Sequence, residues 1–307
     1  MVEKEGKIWA IGGGKGGTGK SFVASAMGTY IAGKGMRVTL IDIDIGGANL
    51  HSFLGISRPK KSLTDFFEAG ASLNKLAVKT GIDNMSLITG DIHSLASDSI
   101  KFTQKLKLFR HIMKLNKHYV IIDLGGGSHN NTIDTFLMAD KKIVILEPEI
   151  TSIENMYHFI KNALFRKLRM SLREYGFKDI VEQMWERRKE YNIKSLRELM
   201  DCIRDNFSYV GDIIDRELSD FKLCLILNKI RSSDDILIGS SMKSILMKYL
   251  GVDTKFVGFV EYDDSVWRSI RERRPFMLNY SLSRSAKEVE VFTENLLKGT
   301  EIKLSRN

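Results

Sequence analysis

Ten consecutive residues, Gly12-Gly13-Gly14-Lys15-Gly16-Gly17-Thr18-Gly19-Lys20-Ser21, concentrate glycine, two lysines and two hydroxyls in one loop. Glycines let successive backbone amides turn inward around phosphate oxygens, and a helix opening at the end of such a loop favours an anion. From Gly14 the run fits G-x-x-x-x-G-K-[ST], which is a P-loop when a strand precedes it and a helix follows. An apolar run at Ile8–Gly12 precedes it, and the spacing predicts a helix from Ser21 to about Ala32. In that frame Gly14, Gly16, Gly17, Thr18 and Gly19 cradle phosphate, Lys20 reaches the β and γ phosphates, and the Ser21 hydroxyl ligates Mg²⁺. ATP with Mg²⁺ is the ligand this chemistry expects.

Two acidic sites follow apolar runs. The first is Ile41-Asp42-Ile43-Asp44 and the second is Ile121-Ile122-Asp123-Leu124-Gly125-Gly126. Ligands of open α/β sheets bind beyond the carboxyl ends of the strands, so these acids are expected to face the phosphates. A strand-end aspartate suits a carboxylate that holds a Mg²⁺-bound water, which makes Asp42 and Asp123 candidate metal residues beside Ser21. In Asp123-x-x-Gly126 the Gly126 amide is placed to meet a γ phosphate. The loop also contains G-x-G-x-x-G at Gly12, Gly14 and Gly17, the pattern of a Rossmann dehydrogenase. That reading leaves Lys20 and Ser21 without a role. A metabolic ligase or kinase using the same P-loop is a further alternative.

The elements that must position these residues alternate. Strands are expected at Ile8–Gly12, Val38–Asp42, Ser86–Thr89, Tyr119–Leu124, Lys142–Leu146, Leu223–Asn228 and Phe256–Val260. They are Val-, Ile- and Leu-rich almost without alternation, as strands buried on both faces are. Helical stretches between them give the rhythm of crossovers. The fold class is α/β, a mainly parallel doubly wound P-loop sheet of about seven strands, with residues 1–307 forming one domain. Between Leu146 and Lys222 the chain is far longer than a crossover needs. It reads as helices: Thr151 with Glu154, Ser195 with Glu198 and Ser285 with Glu288 each make a capping-box pattern, and Gly176 and Gly299 suit helix ends. Residues 166–221 are expected to be a helical insertion of near-neutral charge.

Composition closes off other classes. The chain has 307 residues, is 43% hydrophobic and 28% charged, and holds only 3 prolines, so a disordered or Pro-rich stalk is excluded. No apolar run reaches the roughly 20 residues of a membrane-spanning helix, and the N-terminus lacks a signal-peptide pattern. With 2 cysteines and no C-x-x-C, a reduced cytoplasmic protein without an iron–sulfur site is expected. The six histidines show no metal-ligand spacing and read as surface or capping residues. A net charge of +9 permits attraction to DNA or anionic lipid without specifying either.

Lys15-Gly-Gly-Thr-Gly-Lys20-Ser21, with its extra leading lysine, resembles the deviant P-loop of MinD/ParA-type ATPases. The resemblance continues through Asp42-Ile-Asp44-Ile-Gly46-Gly-Ala-Asn49-Leu50, Asp123-Leu-Gly-Gly126, Glu147-Pro148-Glu149-Ile-Thr151-Ser152-Ile153, Leu227-Asn228-Lys229 and Gly258-Phe-Val-Glu-Tyr262-Asp263. It covers about residues 7–165 and 222–278, and within the family it is nearest MinD and the flagellar-number regulators FlhG/FleN. The resemblance implies an ATP-dependent homodimer in which Lys15 of each subunit reaches the phosphates of the other. It also implies that Asp44 orients the attacking water, that Asp42 and Asp123 support Mg²⁺ through water, and that Asn228 hydrogen-bonds adenine. Lys15, Lys20 and Asp44 are thereby the catalytic candidates. Phe22 falls at a nucleotide-binding position where the family usually has Thr or Ser, and Glu261 replaces a usual proline. The implied role is a switch that positions or counts a cellular structure, the flagellum first and DNA partition second.

Two basic stretches could meet a surface or partner: Lys161, Arg166, Lys167, Arg169 and Arg173 on one expected helix, and Arg268, Arg271, Arg273 and Arg274 after Trp267. A protein partner is expected on the insertion or on the 153–173 helix. Contact with DNA, or peripheral contact with the inner membrane, is the other use of such patches.

Overall fold

The computed structural model describes residues 6–44, 47–57, 59–90, 102–177 and 180–302. The chain runs β1 (Lys7–Gly12), α1 (Lys20–Gly33), β2 (Val38–Asp42), the short helices α2 (Leu50–Phe53), α3 (Leu63–Glu68) and α4 (Leu73–Leu76), then β3 (Val78–Lys79), β4 (Met85–Ile88) and α5 (Phe102–Met113). It continues through β5 (Tyr119–Asp123), α6 (Asn130–Leu137), β6 (Lys141–Leu146), α7 (Ile150–Glu174), α8 (Ile180–Glu186), α9 (Leu196–Asn206) and α10 (Ser208–Asp220). The last elements are β7 (Leu223–Ile230), α11 (Leu237–Leu250), β8 (Thr254–Glu261), α12 (Asp264–Arg271), α13 (Phe276–Asn279) and α14 (Arg284–Lys298).

The strands form one sheet in the order β3-β4-β2-β5-β1-β6-β7-β8. Every neighbouring pair is parallel except β3 with β4. The eighth strand, β3, is the one the sequence did not announce: two residues are too few to show any alternation. Burial on both faces explains the unbroken apolar runs. Along β1, Ile8 and Ala10 enter one apolar cluster while Trp9 and Ile11 enter another. Strands β5 and β6 divide their side chains in the same way. Helices α7, α9, α10 and α11 cover the first face, and α1, α13 and α14 cover the second.

Three helix starts and ends behave as expected and two starts differ. The Ser195 hydroxyl accepts from the Glu198 amide at 3.1 Å and caps α9. Gly176 and Gly299 are left-handed, with φ of 87° and 72°, just past α7 and α14. Thr151, however, lies inside α7, whose N-cap is Glu149, and its hydroxyl accepts from the Lys15 ammonium. The last helix is capped by Ser283, not Ser285; the Ser285 side chain is buried against the Glu261 carbonyl. Residue 166 falls within α7, so the segment 166–221 begins mid-helix. His51, expected at the surface, is buried, and His93 lies outside the described residues. Cys202 and Cys224 are free thiols.

Candidate nucleotide-binding site

Parallel pairing brings the carboxyl ends of β1, β2, β5, β6 and β7 to one edge of the sheet. Asp42 and Asp123 are register partners on β2 and β5, and Ile11 lies opposite Asp123 on β1. The loop after β1 therefore turns directly over both aspartates. Two glycines make this turn sterically possible. A Cβ on Gly14 would stand 2.0 Å from the Asn155 carbonyl oxygen of α7, so the loop can pack there only without a side chain. Gly19, the N-cap of α1, has a φ of 88°.

Lys20 is buried and donates to the Lys15 carbonyl at 3.0 Å, folded back across its own loop. Burial lowers its pKa, with Asp123, Asp44 and Glu147 acting in the opposite direction. Asp42 is fully buried, and its carboxylate accepts the Asp44 and Leu50 amides, each at 3.0 Å. Burial nevertheless pushes it up to about 6. Asp123 is pushed up to about 8, first by burial and then by the neighbouring Asp42 carboxylate, against a hydrogen bond from Ser21 and the charge of Lys20. One oxygen of Asp123, Oδ1, is buried without a hydrogen-bond partner. Asp44 lies between Gly47 and Gly125 and is also raised by burial, with Lys20 opposing. Gly126 packs against the Gly16 amide, which brings the second acidic site onto the phosphate loop.

These positions fit Mg²⁺. A buried carboxylate with an unused oxygen, close to the hydroxyl that closes the P-loop, suits the oxygen-rich shell of a hard cation. Among the described residues no group of three or more His, Cys, Asp or Glu is placed to hold a metal alone, so a bound Mg²⁺ would take its remaining oxygens from phosphate and water. Thr18 is buried, its hydroxyl 3.5 Å from the Lys15 carbonyl. Asn228, buried near the end of β7, donates from Nδ2 to the Thr18 carbonyl at 2.8 Å. It borders a cavity of about 290 Å³ beside the loop, lined also by Gly19, Phe22, Tyr262, Val266 and Trp267. A base could sit there. The larger cavity, about 560 Å³, opens at the opposite edge of the sheet and contains none of these residues.

A match to the CobQ/CobB/MinD/ParA nucleotide binding domain extends over residues 9–276, nearly all of the sheet. The chain belongs to this family. Similar proteins include the septum site-determining protein MinD of Bacillus subtilis, 27% identical over 281 residues, covering 89% of this chain and 92% of that protein. MinD of Buchnera aphidicola is 29% identical over 152 residues, 48% of this chain, and the antiactivator FleN of Pseudomonas aeruginosa is 27% identical over 157 residues, 50% of this chain. In these two cases the chain spans about half of the relative, 56% and 55%. The cell division ATPase MinD of Pyrococcus furiosus shares the fold, with a TM-score of 0.63 at 18% identity over 96% of this chain and 100% of that one.

Within the family frame, the structure gathers Gly14 to Ser21, Asp42, Asp44, Asp123, Gly126 and Asn228 around one cleft. Ile45 and Gly46 of the first acidic run lie outside the described residues. Phe22, expected at a nucleotide-binding position, packs its ring edge-on against Phe276 at 5.2 Å, is 4% exposed and walls the cavity; a phenyl group has no hydrogen bond to offer phosphate. Lys15 is not turned into its own loop. Its ammonium lies 3.0 Å from Glu149 and 3.2 Å from the Thr151 hydroxyl, at the exposed start of α7. Lys229, to which the sequence alone assigns no role, also reaches this loop. Its ammonium donates to the Gly17 carbonyl at 2.9 Å and pairs with Glu147 at 2.6 Å. The signal for it was its place directly after Asn228. Its backbone conformation, which aims it, leaves no mark in sequence.

Proposed function

We propose that this protein is a Mg²⁺-ATP-dependent ATPase that dimerises around its nucleotide and acts as a switch positioning or counting a cellular structure. The observation that carries the reading is the pair of lysines in one phosphate loop. Lys20 is buried under the loop, where it can meet β and γ phosphates. Lys15 stands on the rim, 36% exposed and held by Glu149 and Thr151, free to serve a facing subunit once those contacts are released.

On this reading Lys20 leaves the Lys15 carbonyl for the phosphates, and the amides of Gly14 to Ser21 cradle them. Ser21 and, through water, Asp42 and Asp123 would hold Mg²⁺, which neutralises phosphate charge when bound. Asp44, on the same edge, orients the attacking water, and the Gly126 amide meets the γ phosphate. Asn228 and the cavity beside it receive adenine. Positioning and charge neutralisation suffice for such chemistry. Similarity to FleN supports flagellar number or placement as the first role.

A DNA-partition role is favoured by one surface. Trp267 is 60% exposed, and Arg268, Arg271, Arg273 and Arg274 are exposed beside it. Co-sedimentation of the ATP-bound protein with DNA and with anionic liposomes, at two salt concentrations, separates that role from a membrane one. We further propose a protein partner on the α8–α10 helices or on α7, and a cytoplasmic protein, peripheral at the inner membrane. Among the described residues no helix is long and apolar enough to cross a membrane. Titration with Mg²⁺-ATP and with NAD, followed by phosphate release, tests the core of the reading. Binding and slow turnover of ATP are expected; binding of NAD instead would return the loop to a dehydrogenase.

A further inference from the structure

Strand β7 breaks register with β8 between Asn228 and Ile230: Asn228 pairs with Val260 and Ile230 with Glu261, leaving Lys229 as an extra residue. Lys229 has a φ of 59°, a left-handed conformation uncommon for a residue bearing a Cβ. A bulge of this kind bends a strand and re-aims one side chain, and bulges collect beside functional sites. Here the re-aimed ammonium meets the Gly17 carbonyl of the phosphate loop at 2.9 Å and Glu147, at the end of β6, at 2.6 Å. Glu147 is itself buried, and its amide donates to the Ser152 hydroxyl of α7 at 3.0 Å. One lysine thus joins three strand ends: the loop after β1, the end of β6 and the bulge in β7.

We propose that Lys229 is a positioning residue that braces the phosphate loop at Gly17, so that the loop amides are in place before nucleotide arrives. This rests on the nucleotide-binding reading above and adds a residue and a strand irregularity to it. An unbraced loop must be ordered by the nucleotide itself, which weakens binding. A simpler role competes: Lys229 could serve only to neutralise the buried Glu147.

The test is Mg²⁺-ATP affinity by calorimetry, with thermal melts, for wild type, Lys229→Met, Lys229→Arg and the double variant Glu147→Gln/Lys229→Met. Lys229→Met should weaken binding by about tenfold, the low end of what a hydrogen bond from a charged group contributes. Its melt should fall as well, since the Glu147 carboxylate, only 10% exposed, is left without its ion-pair partner, and the double variant should restore the melt while binding stays weak. Lys229→Arg, which keeps a charged donor, should recover most of the loss. The double variant should stay weak, because no brace is restored. Recovery of wild-type affinity in the double variant would reduce Lys229 to a counter-charge and overturn the proposal. So would wild-type affinity in Lys229→Met. A wild type that binds no ATP would remove the nucleotide reading and this inference together, a result distinct from either of those.

Discussion

Asp42, Asp123 and Lys20 form a small buried electrostatic unit, and on the nucleotide-binding reading its charge changes when Mg²⁺-ATP binds. The two carboxyls sit well above the ordinary carboxylate range, at about 6 and about 8, chiefly because burial disfavours their charged forms. A folded pKa above the unfolded one means stability that is complete at low pH and lost as pH rises through the folded value. The nucleotide-free protein should therefore lose stability from these groups between about pH 4 and about pH 8. Mg²⁺ needs the carboxylates charged, so Mg²⁺-ATP binding should release protons near neutral pH, and its stabilising effect should grow from about pH 6 to about pH 8. Calorimetry in buffers of different ionisation enthalpy, with melts across that range, checks both signs. Lys20→Ala should keep the fold and weaken ATP binding by roughly 100-fold or more, as loss of the main cation beside phosphate implies. Equal affinity in the variant would remove the loop from the site. At this scale the candidate site was legible in the sequence, since the residue types and spacing of Gly14 to Ser21, Asp42, Asp44 and Asp123 already suggest phosphate and metal chemistry. It could not show that Lys15 rests on Glu149, or that Phe22 is spent on packing against Phe276, because both depend on what the fold brings alongside.

Elements were readable where their pattern is long or their caps are local. The seven longer strands announced themselves through apolar runs, and Ser195, Gly176 and Gly299 through capping chemistry. The two-residue β3 and the bulge at Lys229 were not readable, since pairing with β4 and β8 defines them. The helical segment before β7 shows the same limit. A length beyond a crossover suggested a helical insertion, and in the structure Leu199, Met200, Ile203, Ile213 and Ile214 are buried in the apolar cluster that also holds Leu223, Leu225 and Leu227 of β7. Helices α9 and α10 therefore share the core of the sheet. Ile203→Ala, at a fully buried position, should lower global stability by about 2–5 kcal/mol in a single transition. Coincident unfolding followed by circular dichroism and by loss of nucleotide binding checks this. An early, separate melting step would show that the helices fold as their own unit.

At the scale of the whole molecule, one edge of the sheet carries the phosphate loop, its acids and an exposed lysine whose visible contacts, Glu149 and Thr151, are local and partly solvated. An exposed ion pair of that kind contributes about 0–1 kcal/mol, little enough for a facing γ phosphate to displace it. That difference in strength is what makes ATP, and not ADP, the dimerising ligand in this account. Light scattering of the wild type with Mg²⁺-ATP and with Mg²⁺-ADP, run beside Lys15→Ala and Asp44→Ala, tests the account most directly. The wild type should be a dimer with ATP and a monomer with ADP. Lys15→Ala should bind ATP yet stay monomeric and fail to hydrolyse it, while Asp44→Ala should accumulate a long-lived ATP dimer. A wild type that hydrolyses ATP as a strict monomer, or a Lys15→Ala variant that hydrolyses normally, would contradict it.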